Sequence, residues 1–299
     1  MKFDAIIVGG SYAGLSAAMA LGRSLRNVLV IDGGEPCNRQ TPHSHNFITQ
    51  DGQTPAAIAA LAKEQVLKYP TITFVTDKAI KAEKVDDSFE IRTESGKCFS
   101  GKKVVLATGV VDQMRPIPGF AECWGNTVIH CPYCHGYEVR NEKIGILTNS
   151  DASYEFARLI NNWSKDIRIL TDGDCEIPEE NLEKLHYKKF PVIEGEIEAL
   201  IHENGKLQKV LFKDGRELEL TAIFVRVPFQ FATDLHEQLG CELNDHGHIK
   251  VNDLQQTSVP GVYAAGDATT GFRSVASATA TGNKAGALIN HELIHEEDI

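Results

Sequence analysis

Apolar and polar positions along the chain fall into a few recurring units. Ala5 to Val8 is a short continuous apolar run, the pattern of a parallel strand buried on both faces. A glycine turn follows. Leu15 to Leu21, rich in Ala and Leu, predicts a helix, and Asn27 to Ile31 is a second apolar run closed by Asp32. Strand, turn, helix and strand make one βαβ unit. Residues 55 to 69 carry a helical pattern, with Pro55 near its start and Pro70 beyond its end. Alternation over residues 71 to 108, broken by the turn Glu94-Ser95-Gly96-Lys97, predicts a meander packed on one face of the domain. It ends in the buried strand Val104 to Ala107, followed by Thr108-Gly109.

Two prolines in Arg115-Pro116-Ile117-Pro118-Gly119 forbid regular helix or ladder and mark a linker. Beyond it the strand-helix-strand pattern recurs at Lys143 to Leu147, Ser153 to Asn161 and Ile167 to Leu170. Residues 188 to 227 are β-rich. From about 243 the pattern of the first domain resumes, with a helix expected over Ser274 to Ile289.

At 299 residues, with 42% hydrophobic and 24% charged residues, the chain suits one large or two medium domains with a real core. A net charge of −11 opposes a phosphate backbone, so no nucleic acid partner is expected. No apolar run approaches the about 18 residues of a membrane span, so no membrane partner is expected either. The chain enters its first strand straight after Met1-Lys2-Phe3-Asp4, which leaves no room for a secretory signal and points to a cytoplasmic protein. Seven cysteines, at 37, 98, 123, 131, 134, 175 and 241, are odd in number and mostly scattered, which argues against a structural disulfide framework.

Cys131 and Cys134 stand apart by their spacing in His130-Cys131-Pro132-Tyr133-Cys134-His135-Gly136. Thiolate is the reactive form, and C-x-x-C placement lowers the pKa of one sulfur. His130 and His135 flank the pair and suit proton transfer near neutrality, although a histidine beside a turn also serves as a cap or packing residue. The pattern also fits haem c attachment, which needs an export context, and zinc, which needs four ligands where no second C-x-x-C exists. No metal is expected. Gly9, Ser11 and Gly14 occupy the positions of G-x-G-x-x-G, with serine in the middle. There a tight turn brings backbone amides at a helix start against a pyrophosphate, and Asp32 can take a ribose hydroxyl. Near the other end, Thr257 to Gly266 leads to Asp267 on a loop before the Ala- and Gly-rich helix. Asp267 either accepts a ribityl hydroxyl or caps a turn. The fold class expected is α/β: two Rossmann-like three-layer nucleotide-binding domains, the second inserted into the first. The expected ranges are 1–112 with 243–299 for the first domain and 113–242 for the insert that carries the dithiol.

Together these segments resemble the low-molecular-weight thioredoxin reductases among the FAD-dependent pyridine nucleotide–disulfide oxidoreductases. The resemblance covers essentially the whole chain and is strongest at Gly9 to Gly14, Ala107-Thr108-Gly109, Cys131 to Cys134 and Thr257 to Asp267. The run Trp124 to Glu138, with His-Gly after the second cysteine, is similar to the branch that contains the gliotoxin-type dithiol oxidases. The resemblance implies FAD bound by Gly9, Gly10, Ser11, Tyr12, Ala13, Gly14, Asp32 and Gly33. It adds Arg39, His45, Asn46 and Ala79, then Thr108, Gly109, Gly266, Asp267, Ser274 and Val275. The likeness of these segments to the family implies an FAD-binding first domain and an NAD(P)H-binding-like insert. It further implies Cys134 beside the flavin, Cys131 exchanging with substrate sulfur, and NADPH in the insert. The implied partner is a thioredoxin-like protein or a small disulfide or dithiol, and the implied assembly a homodimer.

The chain departs from that pattern in the insert. Thr148-Asn149-Ser150-Asp151-Ala152-Ser153 has no glycine where the family has G-x-G-x-x-A. Asp172 and Asp174 stand where a 2′-phosphate calls for arginines, and Val227-Pro228-Phe229-Gln230 replaces a glycine-containing turn. These changes argue against conventional NADPH binding, while Ser, Thr and Asn side chains leave a rebuilt, weaker site open. Two directions of electron flow remain: reductase toward a disulfide, or oxidase from a dithiol to oxygen or another acceptor. A flavin-based redox sensor acting through a partner is a third. The other cysteines are expected to pack, with Cys37 set apart because it lies in a loop near the expected cofactor.

Overall fold

The computed structural model describes residues 2–297; Met1, Asp298 and Ile299, which the expected domain ranges include, lie outside them. In chain order the first elements are β1 (Lys2–Val8), α1 (Tyr12–Arg23), β2 (Val28–Asp32), α2 (Pro55–Val66), β3 (Ile72–Thr76), β4 (Ala79–Val85), β5 (Ser88–Thr93), β6 (Cys98–Leu106) and β7 (Val110–Asp112). Then come α3 (Phe120–Cys123), β8 (Val128–Ile129), α4 (Pro132–His135), β9 (Ile144–Leu147), α5 (Ser153–Ile160), β10 (Ile167–Leu170) and α6 (Glu179–Tyr187). The β-rich stretch is β11 (Val192–Ile193), β12 (Ile197–Glu203), β13 (Lys206–Phe212), β14 (Glu217–Glu219) and β15 (Ala222–Val225). The chain ends with β16 (Phe229–Phe231), α7 (Leu235–Gln238), β17 (Val262–Ala264) and α8 (Val275–Glu297).

The chain divides into two compact units. One comprises Met1–Arg39, Pro55–Val111 and Gln230–Ile299, the other Gln40–Thr54 and Asp112–Phe229. The return to the first unit thus falls at 229/230 rather than at the expected 242/243. The reason is packing: Phe231, Leu235, Leu239 and Cys241 join the core formed by Phe3, Ile6 and Leu29. Residues 40–54, expected in the first domain, cluster with the second unit.

In the first unit β3, β2, β1 and β6 form a parallel sheet, and β17 pairs in parallel with the second half of β6. The antiparallel hairpin β4–β5 pairs with the first half of β6. Successive side chains point to opposite faces, and both faces are covered. Ala5, Ile7, Val28, Val30 and Val105 meet α1 and α8, while Ile6, Val8, Leu29, Ile31 and Val104 meet Ala79, Ala82, Phe89 and Ile91 of the hairpin. Two-sided burial explains why these strands appear in the sequence as unbroken apolar runs. Each Val, Leu, Ile or Phe among them is worth roughly 1.5–3 kcal/mol when fully buried.

The second unit repeats the scheme. Its sheet, ordered β11-β10-β9-β15-β8, is parallel throughout. Ile144, Ile146, Ile167, Ile169 and Phe224 pack on Phe156, Ala157, Ile160 and Leu185 of α5 and α6. Leu147, Leu170, Ile223 and Val225 pack on the antiparallel layer β12-β13-β14 through Leu200, Val210 and Phe212, together with Phe120 and Trp124. Helix α8 runs beyond the expected Ile289, because Leu293 continues its buried stripe and Lys103 donates to Glu292 at 2.6 Å. Among the described residues no helix is long and apolar enough to cross a membrane.

Candidate active site

The turn after β1 is built on backbone proximity. Gly9 sits at φ +105°, and a Cβ there would overlap the Ala107 carbonyl; a Cβ on Gly14 would overlap the carbonyl of Gly9. Gly10 donates its N–H to Asp32 Oδ1 at 2.9 Å, so the carboxylate at the end of β2 also fixes the turn. Ser11 is the N-cap of α1 and makes no side-chain cap hydrogen bond; its hydroxyl leaves the first amides of the helix to another acceptor. Ala13 is buried. The Tyr12 hydroxyl donates to the Pro55 carbonyl at 3.2 Å and receives Asn38 Nδ2 at 3.3 Å, which ties the loop after β2 to α1. At Gly33 and at Gly109 (φ +64°) no atom lies within 4 Å of where a side chain would project. Arg39 is exposed and donates to the Pro36 carbonyl at 3.2 Å. Ala79 is buried at the start of β4, and Thr108 follows β6 half-buried.

The C-terminal turn lies in the same unit. Gly266 takes φ +75° and donates its N–H to Thr281 Oγ1 at 3.0 Å. The Asp267 carboxylate receives Arg273 Nε at 3.3 Å and the Cys37 thiol at 3.5 Å. The Ser274 hydroxyl accepts the Ser277 N–H at 3.0 Å, just before α8 opens at Val275. Bare helix-start amides, a turn intolerant of side chains, an acid at the end of β2 and open space beside two glycines fit a dinucleotide such as FAD. Arg273 was not marked in the sequence; it follows the Gly-Asp turn closely, and an arginine beside a marked carboxylate is the signal that could have found it.

The dithiol is in the second unit. Cys131 and Cys134 are joined as a disulfide with Cα atoms 5.3 Å apart, and both are half-buried. Cys131 is the N-cap of α4, where Pro132 presets the helical backbone, and its carbonyl accepts the N–H groups of Cys134 and His135 at 3.2 Å each. The two flanking histidines diverge. The His130 ring stacks on Trp124 with centroids 5.8 Å apart, and Trp124 in turn stacks on Phe120. The His135 ring meets His45 edge-on at 6.5 Å. Burial pushes the His135 imidazole below its ordinary value of 6.5, opposed by nearby Glu138 and reinforced by His45.

His45 and Asn46 belong, with residues 40–54, to the dithiol's unit. Asn46 takes φ +61° and donates its N–H to Asp51 Oδ1 at 2.7 Å. The His45 ring lies between two carboxylates, with Nδ1 3.6 Å from Asp51 and Nε2 3.6 Å from Glu138. Glu138 belongs to the run already singled out by the resemblance; its tie to His45 depends on a fold-back that no local pattern shows. No group of three or more His, Cys, Asp or Glu side chains among the described residues is arranged to hold a metal ion.

The turn after β9 is closed by its own side chains. Thr148 and Ser153 hydroxyls lie 3.1 Å apart, and Ser153 Oγ accepts the Ser150 N–H at 3.1 Å. Asn149 donates to the Asp174 carbonyl at 2.8 Å and accepts the Glu176 N–H at 2.7 Å. Thr148, Asn149, Ser150, Asp172, Asp174 and Glu176 line a cavity of about 570 Å³. Arg115 and Arg226 line it too, which the sequence pattern did not suggest. Arg115 came from a presumed linker and is paired with Asp172 at 3.1 Å, and the Arg226 guanidinium lies 4.8 Å from the Phe156 ring centroid. Asp172 thus answers one of the two arginines that a phosphate would need.

Residues 3–282 match the pyridine nucleotide-disulphide oxidoreductase family. The chain is 33% identical to the thioredoxin reductase tcpT of Claviceps purpurea over 97% of its own length and 94% of that protein's. It is also 33% identical to the thioredoxin reductase sirT of Leptosphaeria maculans, over 98% and 94% of the two chains. Among solved structures, an oxidoreductase from Agrobacterium tumefaciens superposes with a TM-score of 0.92 at 36% identity, over 99% of each chain. Its glycine turn, its dithiol and these full-length matches agree: the chain belongs to the pyridine nucleotide-disulphide oxidoreductase family, as a thioredoxin reductase-like flavoenzyme.

Proposed function

We propose that the Cys131–Cys134 pair is the redox centre of this enzyme and exchanges two electrons with FAD on one side and with an external dithiol or disulfide on the other. The observation that carries this reading is the half-buried disulfide at the start of α4, with the His135 imidazole directly after it. FAD would be held by the turn Gly9 to Gly14 with Asp32, and by Gly266 and Asp267; when bound it supplies the electron-pair store. In the thiol step, a substrate thiol gives its proton to His135 and its sulfur attacks Cys131 Sγ. The S–S bond breaks and its electron pair leaves on Cys134 Sγ as thiolate. The second substrate thiol then attacks the substrate sulfur of the mixed disulfide; the electron pair of that bond leaves on Cys131 Sγ, which takes the second thiol's proton. Two electrons leave the substrate and two reach the cysteines. The reverse sequence reduces a disulfide. His130, stacked on Trp124, orients the segment that carries the pair.

The relatives' name, thioredoxin reductase, supports a thioredoxin-like protein as partner; a small disulfide or dithiol substrate and a homodimer are suggested by likeness to the family. The other five cysteines form no disulfide among the described residues, which supports a reducing compartment such as the cytoplasm. The side-chain closure around Thr148, Asn149 and Ser153 favours a second reading, in which NADPH is not the donor and the enzyme oxidises a dithiol with oxygen as acceptor.

Anaerobic titration of the holoenzyme tests both. Dithiothreitol should bleach the flavin, NADPH should do so slowly or not at all, and Cys134→Ser should abolish the dithiol reaction. Unchanged kinetics in the variant would remove the pair from the mechanism. Fast stoichiometric bleaching by NADPH would show that the second cradle works and point back to the reductase direction.

A further inference from the structure

We propose that His45, held between Glu138 and Asp51, carries protons between His135 at the dithiol and bulk solvent. This rests on the dithiol reading above and adds a residue pair to it. Residues 44–53 form a short hairpin. Ser44 donates its N–H to the Gln53 carbonyl at 2.7 Å and Gly52 donates to the Ser44 carbonyl at 2.9 Å. His43 Nδ1 lies 3.0 Å from the Gly52 carbonyl and steadies the same hairpin. Its tip is fixed by the Asn46–Asp51 hydrogen bond. The hairpin thus presents the His45 ring to α4 with a carboxylate at each nitrogen.

Side-chain exposure is 23% at His45, 40% at Glu138 and 67% at Asp51, so both carboxylates that flank the ring open to solvent, Asp51 the more so. The titratable groups facing His135 are Glu138 and His45; those facing His45 are Asp51, Glu138, His43 and His135. The 3.6 Å separations are one small side-chain movement from hydrogen bonds, as is common for proton-transfer groups before substrate binds. Chemically, the substrate thiol's proton reaches the His135 imidazole while the electron pair of the broken S–S bond rests on Cys134. So long as Cys134 stays a thiolate, that proton must leave, and Glu138 and His45 give it a path outward. Both are positioning residues that act through His135.

The test is stopped-flow reduction of the flavin in the holoenzyme by dithiothreitol, without oxygen, across pH 5 to 8, for wild type, His45→Gln and Glu138→Gln. Glu138→Gln removes a charge that favours the imidazolium, so the acid limb of the rate should move to lower pH; His45→Gln should move it to higher pH. In His45→Gln the rate should fall about tenfold, with a larger solvent deuterium isotope effect, and free imidazole should restore it. The opposite shifts follow from the two neighbours' charges on His135, whereas a role without proton transfer would give neither the larger isotope effect nor rescue. If wild type reacts and both variants keep its acid limb and isotope effect, the relay is wrong and the dithiol reading stands. If wild type itself does not react with dithiothreitol, both fall. Should His45→Gln fail to retain flavin, His45→Asn is read for the same isotope effect and imidazole rescue, and their absence overturns the relay.

Discussion

At the scale of single residues, environment sorts side chains that the sequence presents as equals. His130 and His135 flank the same pair, yet one stacks on Trp124 and the other is half-buried beside His45 and Glu138. Burial disfavours the charged form, so the folded site resists a proton that the unfolded chain accepts below 6.5. This group's contribution to stability is fully present above 6.5 and declines as pH falls below it. His248, likewise lowered by burial, acts in the same direction. His135→Asn should therefore flatten, without abolishing, the fall in melting temperature below pH 6.5; an unchanged slope in a pH series of thermal melts would contradict the burial argument. The glycines of the first turn were legible because a backbone that tolerates no side chain leaves a spaced signature. Arg226 was not, since the ring it stacks on, Phe156, is distant in sequence.

At the scale of elements, the strands buried on both faces were legible as continuous apolar runs, and the sheets follow them closely. The return point at Gln230 was not, because β16 and α7 are too short to carry a period and are held by a few side chains such as Leu235. The fold-back of residues 44–53 was hidden for the same reason, and with it the true neighbourhood of His45. Helices α1 and α8 show how closely such elements approach: a Cβ on Gly282 would overlap the Ala13 carbonyl. Gly282→Ala should therefore push α8 outward and destabilise the chain by about 1–3 kcal/mol, the usual range for overpacking. Urea denaturation reads this directly, and an unshifted midpoint would mean that the helices stand further apart.

At the scale of the whole molecule, the first unit closes around the glycine turn, Asp32 and Asp267 from three separated stretches of chain. A ligand bound there only in the folded state stabilises by mass action, by about 2.7 kcal/mol at a hundred times its dissociation constant. Adding FAD to stripped protein should raise the melting temperature in step with FAD concentration and restore a yellow colour; a colourless protein indifferent to FAD would sink the cofactor assignment. The division of the chain has one more consequence. Because the second unit takes residues 40–54 as well as 112–229, the polypeptide passes between units four times. A gene rearrangement that transplanted only the longer stretch into a related scaffold would move the cysteines but leave their hairpin companion behind. Chimeras and lineages built by such exchange would have to supply a matching histidine from the recipient, or work without one.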